Sequence, residues 1–251
     1  MFVWIVGLFI LLLFIFLLDA LYVETTDFKP EDYPSLSDKE MGHLRSAIKL
    51  ADQLPGDWSY MGEKEPGQEH MEAYRYQLAF MTYFLALVQY HKTPAYREIY
   101  QRATDKFIQK MLRKDAGSYW PEVSKKGKIY DPDLKEFGPG WVDHIKDQNI
   151  MYSGHLLPML SIYKMLYRDM KYDAPGSLTF VWDWIRAVRQ KFEYGHKSIA
   201  EIIYEQFMEN SYHSICCEVN VVFPEWNQHP ILGLMLYDHD YLTNYSVTGR
   251  V

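Results

Sequence analysis

The apolar positions of the chain form one unbroken run and then settle into helical spacing. "MFVWIVGLFILLLFIFLL" carries no charge before Asp19, about the length that crosses a bilayer core. A polar linker with Pro30 and Pro34 follows. "SLSDKEMGHLRSAIKLADQL" then predicts a helix opened by a capping box, with Ser37 as cap and Glu40 three residues on, and ended by Pro55-Gly56. Tyr76, Phe80, Tyr83, Leu87 and Tyr90 recur at helical spacing and predict a long helix from about Gln68 to His91. "KTPAY" makes a turn, with Pro94 in the first turn of a helix that reaches about Lys114. Residues 116–146 read as a long loop rich in Gly, Pro and Trp, a length at which loops tend to shape sites. Asp147 is placed to cap the next helix, "QNIMYSGHLLPMLSIYKMLYRD", and further helices are expected at about 177–191, 196–210 and 228–238. "EVNVVF" is the one candidate strand. The pattern is all-α, built of antiparallel helical hairpins. It divides into an anchor (1–23), a linker (24–36) and a helical domain (37–251).

Composition narrows the classes. A net charge of −7 and no basic cluster stronger than "SKKGK" argue against a nucleic-acid partner. Twenty-one Tyr, 7 Trp and 12 Met suit apolar cavities lined by rings, and equally suit a large helical core. The two cysteines, Cys216 and Cys217, are adjacent and neither bridge readily nor offer zinc spacing. No P-loop, GxGxxG or H-E-x-x-H occurs, and the absence of βαβ alternation excludes a nucleotide-binding doubly wound fold. The opening run lacks a basic flank and a small-residue cleavage site, so an uncleaved single-pass anchor through residues 1–18 is expected rather than a signal peptide. Acidic residues dominate after it, and a sequon lies at Asn244; both agree with a lumenal or extracellular soluble part.

Four segments could carry chemistry. His155 sits on an apolar helix with Met151, Tyr152, Met159 and Ile162 on its side; a satisfied core histidine and a pocket acid–base are both compatible with that spacing. "ICCEVNVVFPEWNQHPILG" mixes Cys217, Glu218, Asn220, Glu225, Asn227 and His229 with apolar residues, as a pocket wall does and as a solvated loop can. "GDWSYMG" sets Asp57 among Trp58, Tyr60 and Met61, where an enclosed carboxyl would have a raised pKa, although turn formation is the commoner role. Tyr76 lies on the ring-rich helix as core or as proton donor, with Arg75 expected in a structural ion pair.

"GDWSYMG", "YRYQLAFMTYFLALVQYHKTPAY", "QNIMYSGHLLPMLSIY" and "ICCEVNVVFPEWNQHPILG" together resemble, in order over about residues 40–240, the linalool dehydratase/isomerase family and its fungal-type relatives. The resemblance implies an (α/α) barrel or toroid around an apolar pocket. It also implies cofactor-independent, metal-free acid–base chemistry on a small alcohol or alkene, and a ring-shaped homo-oligomer. His155 occupies the histidine of "NIMY-x-GHL", Cys217 the first active-site cysteine, and Asp57 and Tyr76 the acidic and tyrosine positions. Trp58, Met151, Tyr152, Glu218, Phe223 and Trp226 are the expected pocket lining. Two departures stand out. Trp226 occupies the place of the family's second cysteine, where an indole cannot do a thiol's acid–base work, and the chain ends before the family's later helices, implying an incomplete toroid.

Three functions follow. The first is a lyase or isomerase that dehydrates, hydrates, isomerises or cyclises a terpenoid or other alkenol. The second is a membrane-anchored helical domain that keeps the fold without the chemistry. The third is a carbohydrate-active toroid using Asp57 and Glu218 as paired carboxyls.

Overall fold

The computed structural model describes the chain except for residues 1, 25–28, 30, 32, 63–72, 184–188 and 251. It divides into two compact units, Met1–Ser35 and Leu36–Val251.

The first unit holds α1 (Phe2–Glu24). Its described side chains, residues 7–18, are exposed, including every large apolar residue from Leu8 to Leu18. Among the described residues no helix is long and apolar enough to cross a membrane. The rest of the expected anchor, including residue 1 and the side chains of 2–6, lies outside them.

The second unit is helical. Its helices are α2 (Asp38–Ala51), α3 (Tyr74–His91), α4 (Arg97–Met111), the short turns α5 (Lys114–Gly117), α6 (Trp120–Val123) and α7 (Gly127–Tyr130), then α8 (Ile150–Tyr167), α9 (His196–Glu209) and α10 (Pro224–Tyr241). A 3-10 turn closes the unit at Tyr245–Arg250. The capping box of α2 forms as expected: the Glu40 amide donates to Ser37 Oγ and the Ser37 amide to Glu40 Oε2. Helix α3 and helix α4 are packed neighbours joined by a short turn. Pro94 sits in that turn, ahead of the helix rather than inside it. Nearly every side chain of α8 is buried, which makes it the central helix. It packs on α10, α3, α4 and α9.

Four expectations are corrected. The described residues of 177–191 form no helix; β1 (Leu178–Trp182) pairs antiparallel with β2 (Gln190–Tyr194), Phe180 opposite Phe192. The burial of β1 alternates strictly, the signature of a half-buried strand. "EVNVVF" contributes one isolated bridge, Glu218 with Val221, closed by Asn220 in the left-handed region at φ 70°. Asp147 does not cap α8: Asn149 takes the N-cap position without a side-chain capping bond, left-handed at φ 55° and fully buried. A short polar side chain tolerates that conformation better than a branched one would. Within 116–146 the expected loop is broken by the short helical turns.

Two glycines set how closely α8 and α10 approach. A Cβ on Gly233 would lie 2.9 Å from Leu157 Cγ, Pro158 Cδ and the Pro158 nitrogen, and one on Gly154 3.0 Å from Pro230 Cδ. Each helix thus presents a glycine to the other's internal proline. A ring of polar groups locks the same elements further along. His196 Nε2 lies 3.0 Å from Ser161 Oγ, which donates to the Gly233 carbonyl at 3.0 Å. His196 Nδ1 faces Asp173 at 3.8 Å, and Asp173 also accepts from Tyr241 and from Lys164 at 3.1 Å.

Candidate active site

Helix α3 presents Tyr76, Phe80 and Tyr83 along one side, α8 presents His155, and α10 presents Trp226 and His229 one turn apart. Their rings converge on His155. Centroid separations from its imidazole are 5.4 Å to Tyr76, 5.6 Å to Phe80, 6.2 Å to Tyr83, 6.0 Å to Trp226 and 4.3 Å to His229. Trp226 stacks on Tyr76 at 5.0 Å with the rings 13° apart. His155 is 1% exposed.

The two imidazole nitrogens of His155 differ. Nδ1 lies 3.1 Å from the Tyr83 hydroxyl, which also reaches the His155 carbonyl at 3.4 Å. Nε2 is buried and has no hydrogen-bond partner. Two proton arrangements fit. With the Tyr83 hydroxyl donating to Nδ1, the proton of the ring sits on Nε2; with that hydroxyl donating to the carbonyl and accepting from Nδ1–H, Nε2 offers a lone pair. Burial, and then the charges of His229 and Arg75, hold the His155 pKa well below the ordinary histidine value. The ring is therefore neutral at neutral pH, able to accept or relay a proton but not poised as an imidazolium.

Cys217 and Glu218 enter from the turn before α10. The Cys217 amide donates to the Val221 carbonyl at 2.8 Å and the Val221 amide to the Glu218 carbonyl at 3.0 Å, making a tight reversal. The Ile150 amide donates to the Cys216 carbonyl at 3.2 Å, which ties this turn to the start of α8. Cys217 is fully buried, and burial pushes its thiol pKa up. Burial likewise raises Tyr76; the Arg75 guanidinium opposes this, and the charges of Cys217 and Glu218 add to it. Tyr76 thus stands between the two: its ring meets His155 at 5.4 Å, and it is near enough to Cys217 and Glu218 to feel their charges.

Other expected residues lie elsewhere. Tyr152 points away from His155: its hydroxyl donates to the Met111 carbonyl and its ring meets His144 at 4.4 Å. Burial lowers His144 to about 4. Trp58 stacks on Tyr74 at 4.2 Å, with Lys110 over its face at 4.7 Å. Asp57 accepts from the Ser59 amide at 2.9 Å and the Ser59 hydroxyl at 2.5 Å. These bonds hold its carboxyl below the usual range, the reverse of the raised value expected for an enclosed acid. Met151 is buried in the core, and Phe223 is partly exposed just before α10. Arg75, expected in an ion pair, has none among the described residues.

Cavities of about 790 Å³ and 530 Å³ lie away from this cluster, the first lined by Asp52, Lys106, Lys110, Arg113 and Asp183, the second by Trp141, Asp143 and Phe192. A third, of about 420 Å³, is lined by His43, Leu50, Gln77 and Phe84 and touches the His155 rings through Phe80. Phe80, Tyr83 and His229 belong to the cluster and were not singled out as site residues in the sequence. Their signal was there: rings at 76, 80 and 83 facing a histidine, answered by 226 and 229.

Comparison with known families matches residues 75–248 to the linalool dehydratase/isomerase model. The chain belongs to the linalool dehydratase/isomerase family. The match takes in the helices that carry Tyr76, His155 and Trp226 and the turn that carries Cys217, and begins after the "GDWSYMG" loop.

Proposed function

We propose that this family member is a lyase or isomerase that moves water or a proton on a terpenoid or other alkenol by acid–base chemistry alone. The observation that supports it best is the unpartnered Nε2 of His155, buried among five aromatic rings while Nδ1 is held by Tyr83. A buried polar atom without a partner is costly in a native protein and is commonly explained by a ligand or a reacting group. In dehydration, Nε2 takes a proton from the carbon beside the carbinol, and that C–H pair becomes the new alkene bond. The Cys217 thiol or the Tyr76 phenol gives a proton to the departing hydroxyl, which leaves as water. Dry surroundings strengthen both transfers, and the faces of Tyr76, Phe80 and Trp226 stabilise allylic cation character. Hydration is the same path reversed. The test is His155→Ala assayed by mass spectrometry on a panel of prenyl-derived alcohols: loss of turnover with helicity intact is expected, and unchanged turnover overturns the assignment.

A second reading, a domain that retains the fold without the reaction, is favoured by Trp226, whose indole lies flat on Tyr76 in the place of a thiol. Trp226→Cys distinguishes the two. A gain of turnover from an inactive parent supports the second, while an active parent removes it. We further propose that α1 anchors the chain in a membrane with the helical unit on the lumenal or extracellular side, and that the helical unit forms a ring-shaped homo-oligomer. Extraction of the full chain by detergent but not by alkaline carbonate tests the anchor, and its mass in detergent tests the assembly.

A further inference from the structure

Arg75 is a buried charge with no ion pair among the described residues. It is 1% exposed. Its guanidinium lies 3.8 Å from the Tyr119 ring centroid and 4.4 Å from that of Tyr76. Of its nitrogens, Nη2 reaches the Tyr76 hydroxyl at a long 3.4 Å, while Nε and Nη1 are buried with no partner. No carboxylate among the described residues pairs with it. Glu218 is near enough for its charge to act on Tyr76 and Tyr119. A buried guanidinium costs several kcal/mol unless its charge and its donors are met, and ring faces meet only part of that cost.

The cation is also held in place. The Tyr119 hydroxyl donates to Asn149 Oδ1, and Asn149 Nδ2 donates to the His144 carbonyl at 3.0 Å. Tyr119 thus offers Arg75 its ring while its own polar end is tied to the start of α8. The fork is oriented in advance, with donors unfilled, in the same cluster as the unpartnered Nε2 of His155. A planar fork of this kind fits a carboxylate. A single cation balances a monoanion, not a diphosphate.

We propose that Arg75 binds the carboxylate of an apolar, unsaturated acid whose hydrocarbon part lies among Tyr76, Phe80 and Trp226. This rests on the reading of the His155 cluster as a ligand site and deepens it: the alkenol substrate carries a carboxylate, which Arg75 anchors while His155 faces the reacting carbons. Arg75 is a binding and positioning residue, not a proton carrier.

The experiment measures binding, not turnover. The full chain in detergent is titrated at pH 7.5 with geranic acid, geraniol and the corresponding hydrocarbon, following tryptophan fluorescence and calorimetric heat, with detergent-only titrations subtracted. The acid is expected to bind about tenfold or more tighter than the alcohol, the size of one charge-assisted contact. In Arg75→Met that ratio falls to about one. Should the methionine variant lose its helicity, Arg75→Lys, which keeps the charge but not the fork, is expected to give an intermediate ratio. No preference for the acid in the parent, no binding of any probe, or a ratio unchanged in both variants overturns the proposal. Alkenol turnover without acid preference overturns this inference alone, and acid preference without turnover overturns the catalytic reading alone.

Discussion

Two buried histidines, His155 and His196, stand against the same pair of helices and differ in what their nitrogens meet. His196, with Ser161 and Asp173, has the composition and the order of contacts of an acyl-transfer triad. Yet Ser161 is fully buried and its hydroxyl already donates to the Gly233 carbonyl, while Tyr241 and Lys164 occupy Asp173. Every member is engaged, so nothing is left for a substrate. His155 belongs to no such triad, yet one of its nitrogens is held and the other is unmet. The contrast lies in hydrogen-bonding capacity: every position of the His196 network is met, and one of His155 is not.

The largest expected effects test that contrast as a pair. His155→Gln lowers turnover by about 10²–10⁴-fold, the usual worth of a general acid–base group, with its unfolding midpoint near that of the parent. His196→Ala does the opposite: urea unfolding shows a loss of about 2–4 kcal/mol, in the range for a broken buried network, while activity per folded molecule is kept. Loss of activity in both without loss of stability in either would erase the distinction.

Next in size is Gly233→Ala. Its methyl meets Leu157 and Pro158 at 2.9 Å, an overpacking expected to cost about 1–3 kcal/mol. Because α10 carries Trp226 and His229, turnover should fall along with stability, which urea titration and product assays measured together will show.

Acid separates the groups further. Burial lowers His155, His196 and His144, so the folded chain binds fewer protons than the unfolded one below the ordinary histidine pKa. Their contribution is complete above about pH 6.5 and declines as pH falls from there. For His144 the decline ends near about 4. Asp173, held at about 2 by hydrogen bonds from His196, Tyr241 and Lys164 that outweigh its burial, adds stability above the ordinary aspartate pKa that is lost as pH drops toward that value. Urea midpoints measured from pH 7 to pH 3 should fall throughout. In His196→Ala the fall between pH 6.5 and 5 should be shallower.

The smallest effect is expected of Asp57→Asn. The carboxylate serves Ser59 in an open turn, so turnover should stay within about threefold, compared with the 10²-fold or more of a proton-transfer residue. A loss of that larger size would return Asp57 to the site.

Much of this was legible in the residues. Helix α2 announced itself through Ser37 and Glu40, and the His155 and Cys217 blocks pointed to the family and to each other. The hairpin at 178–194 was not legible. "LTFVW" is short and apolar, and such a run reads as helix or strand until the alternating burial of Leu178, Phe180 and Trp182 is seen. Tyr152 misled for a related reason. It lies three residues from His155, yet it turns to Met111 and His144, on the far side of a helix buried all round, where spacing no longer distinguishes an inside from an outside. Asp57 misled because enclosure by aromatic neighbours in the chain is not enclosure in space.

The contact of Gly154 and Gly233 with the opposing prolines has a consequence for how this scaffold can diversify. The distance between the two helices is set where each glycine meets the other's proline, and one of these contacts, Gly154 with Pro230, lies directly beside His155 and His229. Trp226, Phe80 and Tyr76 take no part in these glycine contacts, so exchange of their rings for smaller or larger groups changes what surrounds His155 while the crossing of the two helices keeps its frame.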